Sequence, residues 1–349
     1  MRQIIGWDLG GANIKSACVE GGRVASVAQT PCPAVQDRRK FNEALERALA
    51  GLTAKPECHA VTMTGELSDV FADRQEGVGY LSQMVGQALP QVVIYAGRAG
   101  FVSPQDAVNH VGDIASANWH ASASLAAQRC GEGLLVDIGT TTADLIPLRN
   151  GVVASSGYTD AERLQTGELV YTGVVRTPVM AIAQDSTFRG RMQRIAAERF
   201  ATMADVYRLT GELPEDADPY PTADQRGKSR EDSAARLARM LGMDASDATI
   251  ADWVALANDF AGRQLSLLQE AATQVLTAAD VAARAPIVGA GCGRFLARGL
   301  AESLGRPYSD FSDVINADPG AREMAARCAP AVAVAILAGD FSKRPPRAI

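Results

Sequence analysis

The sequence predicts an α/β protein built from two duplicated lobes around a cleft, with a helical insertion. A strand that ends in Asp-Leu-Gly-Gly at residues 8–11 is followed by a hairpin and a third strand, and the same order recurs around Asp-Ile-Gly-Thr at 137–140. Repetition of a whole supersecondary unit indicates two related lobes. Residues 184–280 instead have apolar residues at helical spacing, and the chain returns to α/β through a glycine-rich turn at 288–293.

These changes of pattern give the expected domain boundaries. We expect residues 1–112 to form the N-terminal lobe, 113–183 together with 281–349 to form the second lobe, and 184–280 to be a helical insertion that acts as a lid. Within the insertion, prolines, a glycine and charged residues at 212–230 predict a long loop with little apolar surface to anchor it.

The individual elements follow from alternation, apolar runs and helical periodicity. In the first lobe we predict strands at 3–9, 12–20, 23–28, 58–63 and 92–95, and helices at 41–52 and 80–89. In the remainder we predict a helix at 114–129, strands at 133–137, 143–148, 152–156 and 285–288, helices at 294–304 and 324–338, and a loose tail at 343–349.

Composition and charge narrow the class of protein. Of the 349 residues, 47% are hydrophobic, and 34 Lys and Arg residues stand against 40 Asp and Glu residues, which gives a net charge of −6. Such a chain is typical of a folded, soluble protein and argues against a nucleic-acid partner. The longest apolar run, at 329–339, is shorter than a membrane span. Because the chain enters a strand directly, we expect no signal peptide and a cytoplasmic location.

Cysteine and histidine content limits the metal chemistry. No two of the 6 cysteines stand at C-x-x-C spacing, so we expect reduced thiols and no structural zinc. The presence of only 3 histidines argues against a histidine-rich metal site. Any metal is expected to be Mg²⁺ or another divalent cation bound by carboxylates and phosphates.

The first glycine-rich loop has the residues of a phosphate site. Asp8 at a strand end can hold Mg²⁺ through water, and Gly10 and Gly11 let backbone amides approach an anion. Lys15 adds a cation, and Asn13 adds an amide between them. An ordinary glycine-rich hairpin is the alternative.

The second loop repeats this chemistry with hydroxyl groups. Three consecutive threonines beside a glycine and between two aspartates suit phosphate oxygens and a hydrated metal, whereas a polar turn with capping hydroxyls is the alternative. The predicted phosphate-binding residues of this loop are Gly139, Thr140, Thr141 and Thr142. The predicted metal ligands are Asp8, Asp137 and Asp144.

The third loop joins a strand to a helix. Gly289 and Gly291 place backbone amides near a helix N-terminus, which favours an anion or the edge of a nucleotide. The βαβ unit and the acidic ribose partner of a Rossmann site are not evident. Arg294 and Phe295 either fill the space of a base or, in the case of Arg294, offer a guanidinium that stacks on adenine.

In this order, the three loops resemble the phosphate-1, phosphate-2 and adenosine motifs of the actin-like ATPase and sugar kinase superfamily. The resemblance implies two actin-like, ribonuclease H-like lobes. Asn118 lies on the predicted helix before the second loop, where members of this superfamily often have a polar residue that faces the cleft. A helix-surface amide is the alternative for Asn118.

Five further segments resemble a narrower group, the hydantoinase/oxoprolinase-like proteins of tetrahydromethanopterin-linked one-carbon metabolism. These segments are 63–69, 117–119, 163–173, 176–178 and 200–207. The resemblance implies a transferase of methanofuran or methylofuran biosynthesis, of the EC 2.5.1 type. Such an enzyme condenses an aminomethylfuran-methyl diphosphate with the phenol of a γ-glutamyltyramine-like substrate, forms an aryl ether and releases diphosphate.

In this reading, Asp8 and Asp137 hold one Mg²⁺ from opposite lobes, and Lys15 stabilises the leaving diphosphate. Because exposed strand-end carboxylates contribute little to a core, we expect their replacement by Asn to leave folding intact. Glu66 is the first candidate for the base that activates the phenol, with Glu168 and Asp205 as rivals. An acid at a helix N-terminus is the alternative for Glu66.

Several other side chains are predicted to bind the substrate. Arg163 and Arg176 suit diphosphate or a carboxylate, with surface ion pairs as the alternative, and Glu168 lies in the same region. Trp119 and Tyr171 suit the furan or phenol ring, with core packing as the alternative. The basic stretch at 224–230 either closes on diphosphate or is a solvated charge run.

Two other classes of function remain open at this point. One is an ATP-dependent small-molecule kinase or an ATP-driven amidohydrolase of the same superfamily. The other is a regulatory, actin-like ATPase that signals by domain closure. No evident adenine-stacking group accompanies the third loop, so ATP is not the favoured cofactor. The expected partners are small-molecule substrates, and the sequence leaves open whether the protein forms a homo-oligomer.

Overall fold

The computed structural model describes residues 3–34, 37–52 and 56–341. The predicted tail at 343–349 lies outside the described residues. Contacts divide the chain into two compact units. Unit 1 comprises Met1–Gly133, Leu148–Asp160 and Ser309–Ile349, and unit 2 comprises Leu134–Pro147 and Ala161–Tyr308.

The helices and strands follow one another in this order. The first are β1 (Gln3–Leu9), β2 (Asn13–Glu20), β3 (Arg23–Pro31), α1 (Arg39–Ala50), β4 (Cys58–Met63), α2 (Arg74–Ala88), β5 (Val92–Tyr95), β6 (Phe101–Val102), α3 (Val111–Ile114) and α4 (Asn118–Cys130). Next come β7 (Gly133–Ile138), β8 (Ala143–Arg149), β9 (Val152–Val153), α5 (Asp160–Thr166), β10 (Leu169–Val170), β11 (Asp185–Phe188) and β12 (Arg191–Arg194). The last are α6 (Met203–Thr210), α7 (Arg230–Met240), α8 (Ile250–Ala278), β13 (Ile287–Ala290), α9 (Arg294–Ser303), β14 (Tyr308–Asp310), α10 (Arg322–Arg327) and α11 (Ala329–Phe341).

Unit 1 contains a six-stranded sheet in the order β3-β2-β1-β4-β5-β6. β1 is parallel to β4 and antiparallel to β2, and β4 is parallel to β5. One face carries Ile5, Trp7 and Leu9 of β1, which share an apolar core with residues of α1 and α2. Because side chains alternate along a strand, the even-numbered residues of β1 lie on the other face.

That other face carries α11, which is apolar on all sides and almost entirely buried. α11 contacts β1, β2, β4 and α4. At Gly6 of β1 the two backbones approach so closely that a Cβ would overlap the Ala331 carbonyl oxygen and lie 2.8 Å from Ala335 Cβ. Glycine at position 6 is therefore a packing requirement of unit 1.

The second sheet has the order β10-β8-β7-β13-β14, and β9 pairs with β8. β7 and β13 are parallel, with Asp137 beside Ala290. In unit 2, residues of β7, β8 and β13 share one apolar core with residues of α6, α7 and α8. The helical stretch predicted at 184–280 thus packs on the unit 2 sheet through its own apolar faces. Its action as a lid stays a prediction.

The structure corrects three predicted elements. The helix predicted at 114–129 begins only at Asn118, since Ile114 ends the separate helix α3 and Ser116, with φ +56°, cannot continue a right-handed helix. The predicted helix at 324–338 breaks at Cys328, where Pro330 in the next turn lacks an N–H donor. The helical stretch begins with the unpredicted hairpin β11–β12, whose turn residues Arg189 and Gly190 both have positive φ.

Among the described residues, no helix combines the length and the apolar character that a membrane span requires.

Candidate functional site

Asp8 lies near the end of β1, on the sheet face that carries α11. It is directly paired with Lys15 on β2 and with Thr62 on β4, and paired residues direct their side chains to the same face. Lys15 Nζ donates to Asp8 Oδ2 at 3.1 Å. Asp8 is only 2% exposed. The expectation of an exposed carboxylate is therefore wrong, because β1 is an inner strand and has neighbours on both sides.

Three buried oxygens in this region have no hydrogen-bond partner among the described residues: Asp8 Oδ1, Asn13 Oδ1 and Thr62 Oγ1. Carboxylate and amide oxygens are ligands of hard cations, so this donor set fits Mg²⁺. Within the described part of the chain, no group of three Asp, Glu, His or Cys side chains is arranged to hold a metal. A cation at Asp8 would therefore take its remaining ligands from water and phosphate.

The glycines of the first loop pack against residues 64–68. A Cβ at Gly10 would lie 3.5 Å from Thr64 Oγ1, and one at Gly11 would overlap Ser68 Oγ. Thr64 N donates to Leu9 O at 3.0 Å, and Gly10 N donates to Asn13 O at 3.0 Å. A side chain at position 11 would therefore displace the Ser68 hydroxyl, and one at position 10 would lie only 2.8 Å from Asn13 O.

Glu66 lies in a short 3-10 turn, Gly65–Leu67, and is 1% exposed. Its Oε1 accepts a hydrogen bond from Ser116 N at 2.7 Å. Burial raises the pKa of Glu66 to about 7, against the opposing effect of this hydrogen bond. Glu66 Oε2 is buried and has no hydrogen-bond partner within the described ranges.

The second loop, in unit 2, is closed by a turn and wrapped by the segment 172–177. Gly139 N donates to Thr142 O at 2.9 Å. The amides of Val175 and Arg176 both donate to Thr140 O, and a Cβ at Gly173 would overlap the Thr140 backbone. The polar loop 139–142 is therefore held in place through its backbone, and Thr140, Thr141 and Thr142 remain only half-buried.

The third loop lies directly beside the second within unit 2. Gly293 N donates to Ile138 O at 2.8 Å. Gly291 has φ +82°, and a Cβ there would overlap Ile138 O and lie 2.5 Å from Asp137 Oδ1. At the strand end, a Cβ at Gly289 would lie 2.5 Å from Tyr308 Oη. Gly291 and Gly293 thus allow the third loop to approach the second loop closely, and Gly289 leaves room for Tyr308.

The bulky residues of the third loop are already engaged in unit 2. The Phe295 ring packs edge-on against the Tyr207 ring, with centroids 4.9 Å apart. Arg294 Nη1 donates to Gly291 O at 3.3 Å. The ring of Phe295 therefore contributes to the unit 2 core, and the guanidinium of Arg294 lies over its own loop.

Asp144 and Arg163, predicted in separate roles, form an ion pair in unit 2. Arg163 is buried and also donates to the backbone oxygen of Glu168 at 3.3 Å. The Glu168 side chain is buried as well. The predicted roles of these three residues in metal and substrate binding stay predictions.

The other predicted substrate residues differ in accessibility. Asn118, the first residue of α4, is half-buried, whereas Trp119 is buried against the rings of His120 and Tyr158. In unit 2, Tyr171 is 59% exposed and Arg176 is exposed, at either end of the segment that wraps the second loop. Their contacts with a substrate likewise stay predictions.

The loop at 212–230 is anchored by charges. Arg236 is buried and bridges Asp205 and Asp224 at 2.8 Å and 3.0 Å. Arg208 pairs with Asp218, and Lys228 Nζ donates to Asp218 O. The sequence indicated little apolar surface here, and the structure supplies buried ion pairs instead.

Sequence reasoning missed two sets of polar residues. Thr62 is identified only by the strand register that pairs it with Asp8, and Ser116 only by its positive φ. In unit 2, Tyr207 Oη donates to Gln264 Oε1, and Gln264 Nε2 donates to Thr172 Oγ1 at 2.7 Å and Gly173 O at 3.1 Å. The sequence offered one signal, a glutamine within a long amphipathic helix. It could not identify the partner of that glutamine, Thr172, which lies 92 positions away.

The fold is that of the actin-like ATPases and sugar kinases, with duplicated lobes. A ROK family glucokinase from Streptomyces griseus in complex with glucose and AMPPNP matches with a TM-score of 0.50 and 16% identity, over 96% of this chain and 98% of the glucokinase. At this identity the likeness shows the fold alone.

The chain belongs to the hydantoinase/oxoprolinase family, whose model matches residues 57–318. A (4-{4-[2-(gamma-L-glutamylamino)ethyl]phenoxymethyl}furan-2-yl)methanamine synthase from Methanocaldococcus jannaschii is 30% identical over 269 residues, which cover 76% of this chain and 80% of the relative. The protein of the same name from Methanococcus vannielii is 28% identical over 137 residues, which cover 39% of this chain and 61% of that relative. The resemblance in the sequence motifs is thereby confirmed.

Proposed function

We propose that this protein is a transferase of methanofuran or methylofuran biosynthesis. It condenses an aminomethylfuran-methyl diphosphate with the phenol of a tyramine-type substrate, forms an aryl ether and releases diphosphate. The observation that carries the proposal is the 30% identity to the Methanocaldococcus jannaschii synthase over 80% of that relative. The family membership and the phosphate-type loops support it.

The Asp8 loop has the groups that this reaction needs. When the furfuryl C–O bond breaks, negative charge develops on the leaving diphosphate. Lys15 and the backbone amide of Gly11 are suited to bind that charge, and Gly10, whose amide donates to Asn13 O, shapes the turn of the loop. Asp8 and Asn13 would hold Mg²⁺, which supplies Lewis-acid stabilisation of the diphosphate when bound.

We propose that the second and third loops, both in unit 2, also bind phosphate groups. Residues 139–142 offer hydroxyls and amides, and Gly289 and Gly291 offer backbone without side chains. Asp137 is a proposed further metal ligand. Arg176, Tyr171 and Asn118 are proposed to contact the organic parts of the substrates, because their side chains are exposed or half-buried.

The phenol must lose a proton as it attacks the methylene carbon. The three carboxyl groups predicted as bases, Glu66, Glu168 and Asp205, are all buried. Asp205 pairs with Arg236, and Glu66 bonds to Ser116 N. We propose that the proton passes to the leaving diphosphate, so that the C–O bond to the phenol forms, the bond to diphosphate breaks, and hydrogen diphosphate leaves.

The test is an assay with both substrates. We expect the protein with Mg²⁺ to release diphosphate and form the aryl ether only when the furfuryl diphosphate and a tyramine-type phenol are both present. Lys15→Met should lower the rate about 100-fold or more, whereas Glu46→Gln, an exposed acid on α1, should not. ADP release from ATP with the furan alcohol, and no ether from the diphosphate, would favour a kinase.

A further inference from the structure

The carboxyl group of Glu66 is bound to the break between α3 and α4. Its Oε1 accepts from the amide of Ser116, which is itself buried and has φ +56°. A non-glycine residue in this region is strained, and an unpartnered buried N–H is costly. Ala117, which precedes the first residue of α4, provides no side-chain cap. The hydrogen bond from Ser116 N to Glu66 Oε1 thus anchors the α3–α4 connection.

Glu66 is itself fixed against the Asp8 loop. The backbone of its segment bonds to Leu9 through Thr64 N, and a Cβ at Gly65 would lie 2.6 Å from the Phe41 ring and 2.9 Å from Leu9 O. On the other side, a Cβ at Gly77 of α2 would lie 2.6–2.7 Å from the Glu66 backbone and Cβ. The carboxyl group therefore extends from a rigid position.

A second contact stabilises the same break. Ser116 Oγ donates to Asp160 Oδ2 at 3.3 Å, and Arg74 Nη2 lies 3.4 Å from the same oxygen. All four side chains belong to unit 1. Ser116 is thus held through its amide by Glu66 and through its hydroxyl by Asp160.

We infer that Glu66 is a positioning residue, whose Oε1 fixes Ser116 and thereby the first turn of α4, with Asn118, relative to the Asp8 loop. The role requires a hydrogen-bond acceptor at Oε1 and no proton transfer with substrate. Asp160 is a second positioning residue, which acts on Ser116 through its hydroxyl. Only the activity readout of this inference rests on the proposed function.

Amide hydrogen exchange tests the inference without any substrate. Glu66→Gln keeps an oxygen acceptor, whereas Glu66→Met has a similar length and only a weakly accepting sulfur. We expect amides at 115–121 to exchange as in the wild type in Glu66→Gln, and on the order of 10- to 100-fold faster in Glu66→Met. Glu66→Asp, which is one methylene shorter, serves in place of Glu66→Met if that variant does not fold. Unchanged exchange without the acceptor, or fast exchange in Glu66→Gln, would overturn the inference.

Kinetics then separate positioning from general-base catalysis. A positioning acceptor predicts that Glu66→Gln keeps its turnover rate and pH profile, whereas a base predicts a loss of about 100-fold or more. Glu66→Met should raise the KM of the phenolic substrate, and combining it with Asn118→Ala should add no further loss. Additive effects would overturn the link to Asn118. If the wild type lacks transferase activity, the proposed function fails while the exchange result still decides the role of Glu66.

Discussion

Lys15 Nζ lies 3.1 Å from Asp8 Oδ2, and the two residues are directly paired across β2 and β1. The ion pair uses one oxygen of a buried carboxylate and leaves Asp8 Oδ1 without a hydrogen-bond partner among the described residues. The lysine therefore compensates the charge of Asp8 without occupying both of its oxygens. In the proposed function, Oδ1 is the oxygen that would hold a cation, while Oδ2 orients the lysine.

Replacing Asp8 should lower the catalytic rate strongly and the stability of the fold only moderately. In Asp8→Asn we expect turnover to fall by about 100-fold or more, because the cation ligand is lost. We also expect the free energy of unfolding to fall by about 1–2 kcal/mol, since Lys15 loses a charged partner at a buried site. Diphosphate release and urea unfolding measure the two effects. Glu46→Gln is the control, and full activity in Asp8→Asn would exclude Asp8 as a ligand.

The buried carboxyl group of Glu66 predicts a pH dependence of stability. Its pKa rises from an ordinary value of 4.5 to about 7 on folding, so the neutral form is favoured in the folded state. The stability that Glu66 contributes is thus present below pH 4.5 and is lost as the pH rises to about 7. Relative to the wild type, Glu66→Gln should gain up to about 3 kcal/mol across this window.

Denaturant unfolding at pH values below, within and above this window measures the difference. The exposed Glu46→Gln serves as the matched control and should follow the wild type throughout. A difference between Glu66→Gln and the wild type that does not change with pH would contradict the prediction.

Gln264 should contribute to stability through three partners in unit 2. In Gln264→Leu, Thr172 Oγ1, Gly173 O and Tyr207 Oη lose their bonds in a buried setting, so we expect a loss of about 2–4 kcal/mol. Tyr207→Phe removes only one hydroxyl and should cost about 1 kcal/mol. Urea unfolding of both variants compares these values. Equal small losses would mean that the segment 172–177 does not depend on Gln264.

Two glycines with positive φ provide a matched test of the third loop. A Cβ at Gly305, φ +63°, meets no atom of the described residues within 4 Å, whereas one at Gly291, φ +82°, meets Ile138 O and Asp137 Oδ1. We expect Gly305→Ala to cost about 1 kcal/mol from backbone strain alone. Gly291→Ala should cost about 3 kcal/mol and also impair diphosphate binding. Binding calorimetry with Mg²⁺–diphosphate would contradict this if Gly291→Ala bound like Gly305→Ala.

The loop at 212–230 should be released by removing its buried arginine. Arg236→Met loses the bonds to Asp224 Oδ1 and Gly227 O, so we expect cleavage in this loop by limited proteolysis to accelerate about 10-fold or more. Arg239→Met, an exposed position on the same helix, is the control. If the loop also closes on ligand, Mg²⁺–diphosphate should slow cleavage in the wild type. Equal cleavage with and without ligand would argue against a lid.

The sequence predicted the fold class because its signals are local and repeated. Strand, Asp-x-Gly turn and hairpin appear at both Asp8 and Asp137, and β4 and β5 have the predicted bounds. The break at Ser116 escaped prediction because the hydrogen bond that Ser116 N donates to Glu66 Oε1 joins residues 50 positions apart. Periodicity in a single stretch cannot reveal such a partner.

Contacts between distant parts of the chain also explain which features of the candidate site could not be predicted from the sequence. The three loops could be predicted because their glycines and hydroxyl groups occur in short sequence motifs. The burial of Asp8, the pairing of Asp144 with Arg163 and the enclosure of Glu66 depend on strand register and on helices from distant parts of the chain. Residue type therefore indicated the chemistry of the site, and tertiary contacts decided which atoms are accessible.

The place of α11 in the chain determines the order in which a nascent polypeptide can fold. Unit 1 needs α11 against β1, but β1 comes from residues 3–9 and α11 from 329–341. All of unit 2, by contrast, lies between residues 134 and 308. During synthesis, unit 2 is therefore complete on the ribosome while the first sheet still exposes the apolar surface that α11 will cover. We expect the N-terminal strands to be prone to aggregation during this interval.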